Sequence, residues 1–326
     1  MELGNHVRPP KAGSNLKLGF IKEKKRYAET DAVAVPNCLC YHGRERRMGR
    51  ILELFGELGQ RTLVMGIVNV TPDSFSDGGL YLQRERAIAH ALELVEQGAD
   101  IIDVGGESTR PGAEPVPLEE ELRRVIPVVE GIRKESDVCI SVDTYKAEVA
   151  EAALAAGADM VNDVSALRFD GRMAEVIARW QAPVVLMHMR GEPRTMQQNP
   201  HYEDVISEIA EFLRERIAAA VAAGIPRERI IIDPGIGFGK RLEHNLEIFR
   251  RLGELKAKVQ GQPLLIGPSR KSFIGELTGL PVEERLEGTI ASVVAAILGG
   301  ADIVRVHDVG QVKRAVLVAD AILRGD

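Results

Sequence analysis

The chain of 326 residues has only three cysteines, Cys38, Cys40 and Cys139, and the first two stand too close in sequence for an ordinary disulfide framework. Disulfides are excluded as what holds the fold, and a reducing compartment is expected. Cys38, Cys40 and His42 would put three soft ligands on one strand face. A structural zinc takes four, and no second cluster follows, so ordinary thiols are the better reading. No apolar run is long enough to cross a bilayer and no charged-then-apolar leader opens the chain, which points to a soluble, cytoplasmic protein with no membrane partner. Positive charge is not in excess either. Lys and Arg number 42 against 48 Asp and Glu, a formal net charge of −6, which excludes bulk nucleic-acid binding and leaves room only for a local basic pocket. A His-x-x-x-His pair, a cysteine pair in the regular part of the chain and a Ser-His-Asp order are also missing, which argues against zinc and serine hydrolases.

What is present starts with a polar arm. Residues 1–27 are rich in Lys, Arg, Gly, Pro and Asn with little periodicity and read as a flexible arm. Residues 30–41 alternate weakly, as a strand or hairpin would. Residues 50–58, with Ile51, Leu52, Leu54, Phe55 and Leu58, suit a short amphipathic helix or a plug over a barrel floor. This divides the chain into an N-terminal extension at 1–60, partly disordered, and a main domain at 61–326.

From Leu63 onward a short Val/Ile/Leu strand, a polar or Gly-rich tip and an amphipathic helix recur. The strands read as 63–68, 101–104, 138–142, 160–162, 184–187, 230–232, 264–266 and 303–306. The helices read as 83–97, 118–134, 147–156, 171–180, 202–223, 242–258, 286–298 and 309–323. Gly-Ala-Asp recurs before strands at 98–100, 157–159 and 300–302, which is helix-stop chemistry repeated by the architecture. Eight such units in about 250 residues predict an α/β fold, a closed (β/α)8 TIM barrel, in preference to a doubly wound sheet, because polar residues follow every strand rather than gathering at one switch point.

The strand ends carry Asn69, Asp103, Asp143, Asn162 with Asp163, His188, Asp233, the run Ser269-Arg270-Lys271-Ser272, and Arg305 with His307 and Asp308. In a barrel all converge on one rim. Asp143, Asn162 and Asp233 suit the paired donors of a flat, nitrogen-rich heterocycle, although each Asp could instead cap a helix or tie down a loop. Arg305, His307, Lys271, Arg270 and Arg110, with the helix N-terminus near Val309, form a cationic group where such barrels bind phosphate. At least one of Arg270 and Arg110 is expected to serve only as a partner for a surface acid. Two loops, 71–79 and 107–115, have the Gly and Pro content of lids, and Phe75 reads as exposed. Residues 233–240, DPGIGFGK, are neither a phosphate-binding Walker loop nor a dinucleotide fingerprint, and their glycines are read as letting the backbone pass close under a ligand. From the residues alone the chain is a barrel that binds an aromatic heterocycle bearing a phosphate group.

Six stretches in order, NVTPDSFSDGG at 69–79, GGESTRPG at 105–112, SVDT at 141–144, DPG at 233–235, SRKS at 269–272 and RVHD at 305–308, closely resemble dihydropteroate synthase. The resemblance runs from about Leu63 to the C-terminus. It implies a transferase of folate synthesis that condenses 6-hydroxymethyl-dihydropterin diphosphate with 4-aminobenzoate. By resemblance Asp143, Asn162, Asp233 and Lys271 hold the pterin, with Met187 packing on its ring. Asn69, Thr109, Arg110, Arg305 and His307 hold the diphosphate, with Asn69 also touching Mg²⁺. Phe75, Pro111, Phe238, Lys271 and Ser272 shape the aminobenzoate slot, and Asp77 stabilises the carbocation left when diphosphate departs. Catalysis is thereby assigned to Asn69, Asp77, Lys271, Arg305 and His307, and family membership suggests a homodimer through helices late in the barrel. Two alternatives are a pterin-binding methyltransferase barrel, which has no use for the Arg305 and His307 anion site, and a non-catalytic pterin-binding protein.

Overall fold

The computed structural model describes residues 49, 51, 53–71, 80–110 and 112–325. The arm at 1–27, the strand or hairpin at 30–41 and the Cys38, Cys40 and His42 group lie outside the described residues. Eight strands follow in order: β1 (Leu63–Asn69), β2 (Ile101–Gly105), β3 (Cys139–Asp143), β4 (Met160–Asp163), β5 (Val184–Met187), β6 (Ile230–Asp233), β7 (Leu265–Ile266) and β8 (Ile303–Val306). Each is a short apolar run enriched in β-branched residues, the composition of a strand covered on both faces. Between them lie α1 (Leu80–Glu96), α2 (Leu118–Glu135), α3 (Ala147–Ala156), α4 (Met173–Trp180), α5 (Val205–Ala222), α6 (Leu242–Arg250), α7 (Leu252–Lys258), α8 (Ser272–Thr278) and α9 (Leu286–Leu298), and α10 (Val309–Arg324) follows β8.

The strands pair in parallel in the order β6-β5-β4-β3-β2-β1-β8-β7. The remaining seam is closed by the parallel bridge between Ile232 and Leu264, with the Ile232 N–H donating to Pro263 O at 2.9 Å. Neighbours in sequence are neighbours in space and the first strand meets the last. That is a barrel, not a doubly wound sheet.

Side-chain parity then decides what faces the axis. Leu63, Met65, Ile101, Cys139, Met160, Val185, Ile231, Leu265 and Ile303 pack together inside the barrel. Alternate residues such as Val64, Ile102, Val104, Ile140, Val161, Val184 and Ile232 join the larger core under the helices. Stepping by two from the inner set reaches Asn69, Asp103, Asp143, Asn162, Met187, Asp233, Arg305 and His307, so the polar strand ends share the inner face at one mouth. At the opposite end Ile51 is buried in the inner cluster, with Leu54, Phe55 and Leu58 packed against it and residues 53–56 helical. The expected plug over the floor is there.

The Gly-Ala-Asp repeat has a fuller meaning than a helix stop. Gly98, Gly157 and Gly300 have φ of 97°, 119° and 96°, a left-handed conformation that favours glycine. Two residues on, each Asp turns back to the sheet. Asp100 accepts the Val64 N–H, Asp159 the Ile140 N–H and Asp302 the Leu264 N–H, each at 2.8 Å. Each carboxylate is also paired with a cation: Asp100 with Arg61 and Lys313, Asp159 with Arg133, and Asp302 with Lys256. The repeat therefore fastens a helix end to the start of a neighbouring strand.

Three features differ from expectation. Residues 242–258 form two helices, broken at Arg251 (φ −120°, ψ 23°), which spreads its guanidinium over Asp204, Glu247 and Glu254. Helix α8 was not foreseen, since seven residues are too few to show a period. The helix expected from residue 202 begins at Val205, where the Asp204 side chain accepts the Ser207 N–H as an N-cap. Among the described residues no helix is long and apolar enough to cross a membrane.

The Asp159 clasp is testable. Asp159→Ala leaves the Ile140 N–H and Arg133 without their carboxylate, and should lower unfolding stability by about 3 kcal/mol. Urea denaturation followed by circular dichroism measures it. A loss under about 0.5 kcal/mol contradicts the clasp.

Candidate active site

At the mouth the polar side chains are tied together by charge. Arg305 donates from Nε to Asp103 Oδ2 at 2.6 Å and from Nη2 to Asp143 Oδ2 at 2.7 Å. Asn162 Nδ2 donates to the same Asp103 oxygen at 3.0 Å. The other Asp103 oxygen is buried and has no hydrogen-bond partner among the described residues. With its amide nitrogen committed to Asp103, Asn162 keeps its carbonyl oxygen to accept from a ligand N–H. Burial works against the charge of Arg305, but Asp103 and Asp143 outweigh it and its pKa rises. Burial pushes Asp143 the other way for an acid, up to about 7, with Arg305 the main opposing influence.

At the end of β6 Asp233 is buried and accepts the Gly235 N–H at 2.6 Å through Oδ1. Burial raises its pKa while Lys271 pulls it down. Lys271 is brought down to about 8 by burial, against the attraction of Asp233. Its ammonium donates to Ile236 O and lies 4.6 Å from the centre of the Phe238 ring. Beside these groups Met187, Met189, Met196 and Val164 form an apolar cluster, with Tyr145 and Phe238 packed on it. A flat ring could lie against this cluster with Asp143, Asn162 and Asp233 at its edge.

The glycines of 233–240 are also needed for contacts within the protein. A Cβ on Gly235 (φ +67°) would fall 2.0 Å from His188 O, and one on Gly239 (φ +61°) would fall 2.6 Å from Arg190 O. The close approach is to the β5 loop of the protein itself. At Gly237 (φ +82°) the approach is looser, a Cβ there falling 3.2 Å from the Lys271 side chain.

The expected cationic group needs correction. His307 Nδ1 is 2.9 Å from Ser269 Oγ, and burial, reinforced by Arg305 and Arg270, lowers its pKa to about 3. The imidazole is therefore neutral at pH 7, and with Nδ1 facing the hydroxyl it can offer an anion its Nε2–H. Arg270 donates from Nε (3.0 Å) and Nη2 to the Asp308 carboxylate, so it is the arginine spent on an acid. At the N-terminus of α10 Gln97 accepts the Gly310 N–H at 3.1 Å, while Asp308 at the cap position makes no side-chain cap hydrogen bond. What remains for an anion is Arg305, the His307 ring, half-buried Asn69 at the end of β1, half-buried Thr109 and exposed Arg110. Ser272 is exposed at the first position of α8. Phe75, Asp77 and Pro111, and with them most of the loop 71–79, lie outside the described residues.

Two groups were missed by sequence reasoning. Asp103 was seen as a strand end without a role; its parity with Ile101 was the available signal. Lys240 and His188 form a buried pair, Lys240 Nζ lying 3.0 Å from His188 Nδ1 and 2.9 Å from Phe238 O. Burial holds both well below their usual pKa values. Nothing in the sequence joins residues 52 apart.

An anion bound against the neutral His307 must raise its pKa from about 3, so binding of inorganic diphosphate at about pH 4.5 should take up part of a proton there. Calorimetry in buffers of different ionisation enthalpy counts that proton. His307→Asn should remove it, and an equal count in both proteins contradicts the assignment.

Residues 65–307 match the family model described as pterin binding enzyme. Over 267 residues the chain is 52% identical to the dihydropteroate synthase of Synechocystis sp., covering 82% of this chain and 92% of that protein. The solved structure of Xanthomonas albilineans dihydropteroate synthase with 4-aminobenzoic acid is 51% identical, with a TM-score of 0.76 over 81% of this chain and 94% of that one. The Xanthomonas albilineans structure in complex with 7,8-dihydropteroate is 48% identical, with a TM-score of 0.73 and the same coverage. With the barrel already in place, likeness of this extent over this much of both chains means that the chain belongs to the pterin-binding enzyme family, among its dihydropteroate synthases.

Proposed function

We propose that this barrel mouth condenses (7,8-dihydropterin-6-yl)methyl diphosphate with 4-aminobenzoate to give 7,8-dihydropteroate and diphosphate. The observation that carries the reading is Arg305: one guanidinium joins the ring-reading side, through Asp143, to the anion side, beside His307. The pterin edge meets Asp143, Asn162 and Asp233, its face lies on Met187, and Lys271 borders it. As ring N–H groups satisfy Asp143, that carboxylate no longer needs the Arg305 Nη2, which turns to the diphosphate. Arg305, the His307 N–H, Asn69, Thr109 and Arg110 then neutralise charge that grows as the C–O bond breaks. The methylene cation left behind is delocalised into the dihydropterin, with Asp77 to stabilise it, and the neutral aniline attacks, the new C–N bond forming as the resulting arylammonium gives its surplus proton to water or to the released diphosphate. No strong general base is needed. Phe75, Pro111, Phe238, Lys271 and Ser272 border the aminobenzoate.

The donor set fits Mg²⁺. Among the described residues no cluster of three His, Cys, Asp or Glu stands ready to cage a metal. Mg²⁺ takes one or two protein oxygens and completes its shell with phosphate and water, so the Asn69 amide oxygen and a diphosphate suffice. When bound, the metal adds positive charge to the leaving group.

A cytoplasmic homodimer completes the reading. Helix α10 exposes Leu317, Val318 and Ile322, the last 76% exposed, and α9 exposes Leu298, apolar side chains that a second copy would cover. A methyltransferase barrel would make no use of the anion side, and a non-catalytic binder would need neither Arg305 nor His307 there.

Mass spectrometry of a mixture of pterin diphosphate, 4-aminobenzoate, Mg²⁺ and enzyme should show 7,8-dihydropteroate. Asp233→Ala should abolish it and weaken pterin diphosphate binding by roughly 2–5 kcal/mol, because the ring donors lose a buried acceptor. Unchanged affinity in the variant sinks the role of Asp233.

A further inference from the structure

The loop 107–116 contains Thr109 and Arg110, and its two ends meet on one side chain. Glu107 Oε1 accepts from Tyr145 Oη, and Glu107 Oε2 accepts from Lys146 Nζ and, at 3.1 Å, from the Val116 N–H at the far end of the loop. Lys146 Nζ also donates to Val116 O at 2.8 Å and to Glu121 Oε2. Glu121 in turn accepts from Thr144 Oγ1 at 2.7 Å. On the strand side of the neck, Arg124 donates to Gly106 O at 2.9 Å. Gly106 presses so closely on α2 that a Cβ there would fall 2.7 Å from the Val125 side chain.

This neck is sheltered, with the Glu107 side chain 9% and the Glu121 side chain 1% exposed. The tip is different. Among the described residues its contacts outside the loop are the Gly112 N–H to Pro193 O at 3.4 Å and an ion pair of Glu114 with Arg194 in which both side chains are largely exposed. Exposed pairs of that kind hold little, whereas charge-assisted bonds to a buried carboxylate hold well. The placement of Arg110, only three residues beyond the anchor, is therefore set at the neck. Tyr145, which holds the Glu107 carboxylate through its hydroxyl, packs its ring against the Met187 cluster.

We propose that Glu107 is a positioning residue for diphosphate binding: by fastening both ends of the 107–116 loop to Tyr145 and Lys146, it fixes the point from which Thr109 and Arg110 meet the anion. The inference rests on the reading of that loop as a diphosphate contact. Glu107→Gln keeps the shape and removes the charge that Lys146 needs. Affinity for the pterin diphosphate with Mg²⁺ should fall about tenfold or more, the worth of a charged hydrogen bond, while affinity for the same pterin without phosphates stays within about twofold. Amide hydrogen exchange across 108–116 should quicken. Tyr145→Phe, which removes one bond and no charge and keeps the ring, should lower pterin diphosphate affinity by a smaller factor, again with the phosphate-free pterin within about twofold, and it carries the test if Glu107→Gln does not fold. Equal losses for both ligands, or no loss for either, overturn the proposal. Arg110→Ala separates the layers. If it leaves diphosphate affinity unchanged, the reading of the loop falls and the role of Glu107 with it; if it weakens binding while Glu107→Gln and Tyr145→Phe do not, only the role of Glu107 falls.

Discussion

Arg305 lies between two carboxylates at the mouth of the barrel, and the rest of the site is arranged around that contact. A guanidinium largely withdrawn from water is tolerable only if its charge and donors are met, which Asp103 and Asp143 do at 2.6 and 2.7 Å. Such a pair contributes little net stability compared with an apolar core of the same volume, although breaking it by removing one member costs about 3–5 kcal/mol. Its value is geometric. Asp103 holds the Asn162 amide with the same oxygen, so the acceptor that Asn162 offers and the direction of Arg305 are fixed together.

The barrel makes this convergence unavoidable. Side chains alternate across each strand, and the parallel register sets Asp103 beside Ser141, Asp143 beside Asn162 and Met187 beside Asp233. Once the apolar inner layer below is filled, the next inner position on each strand opens at the same rim. The Asp clasps at 100, 159 and 302 act at the other end of the strands, holding strand starts to helix ends and so keeping the register on which the rim depends.

Much of this was legible in the sequence. Val/Ile/Leu runs bounded by polar tips placed each of the eight strands to within two residues, and parity then predicted which side chains share the mouth. The roles of individual residues came from family resemblance rather than from spacing. What escaped depends on burial and on partners distant in the chain. Arg270 was placed among the cations, yet its spending on Asp308 shows only in the fold. His307 was read as a cation and is neutral, because burial between Arg305 and Arg270 makes a second charge unfavourable. The Lys240 and His188 pair and the Glu107 neck likewise join residues tens of positions apart, and the break at Arg251 lies inside a run whose periodicity is unbroken.

If Arg305 is shared between the ring side and the anion side, the Asp143 carboxylate competes with the leaving group for it. Titration of inorganic diphosphate with Mg²⁺ into the protein and into Asp143→Asn is the direct measurement. The account predicts severalfold tighter diphosphate binding in the variant, since Arg305 is released and a nearby negative charge removed, together with loss of pterin affinity. Diphosphate affinity that is unchanged or weaker in Asp143→Asn would contradict it.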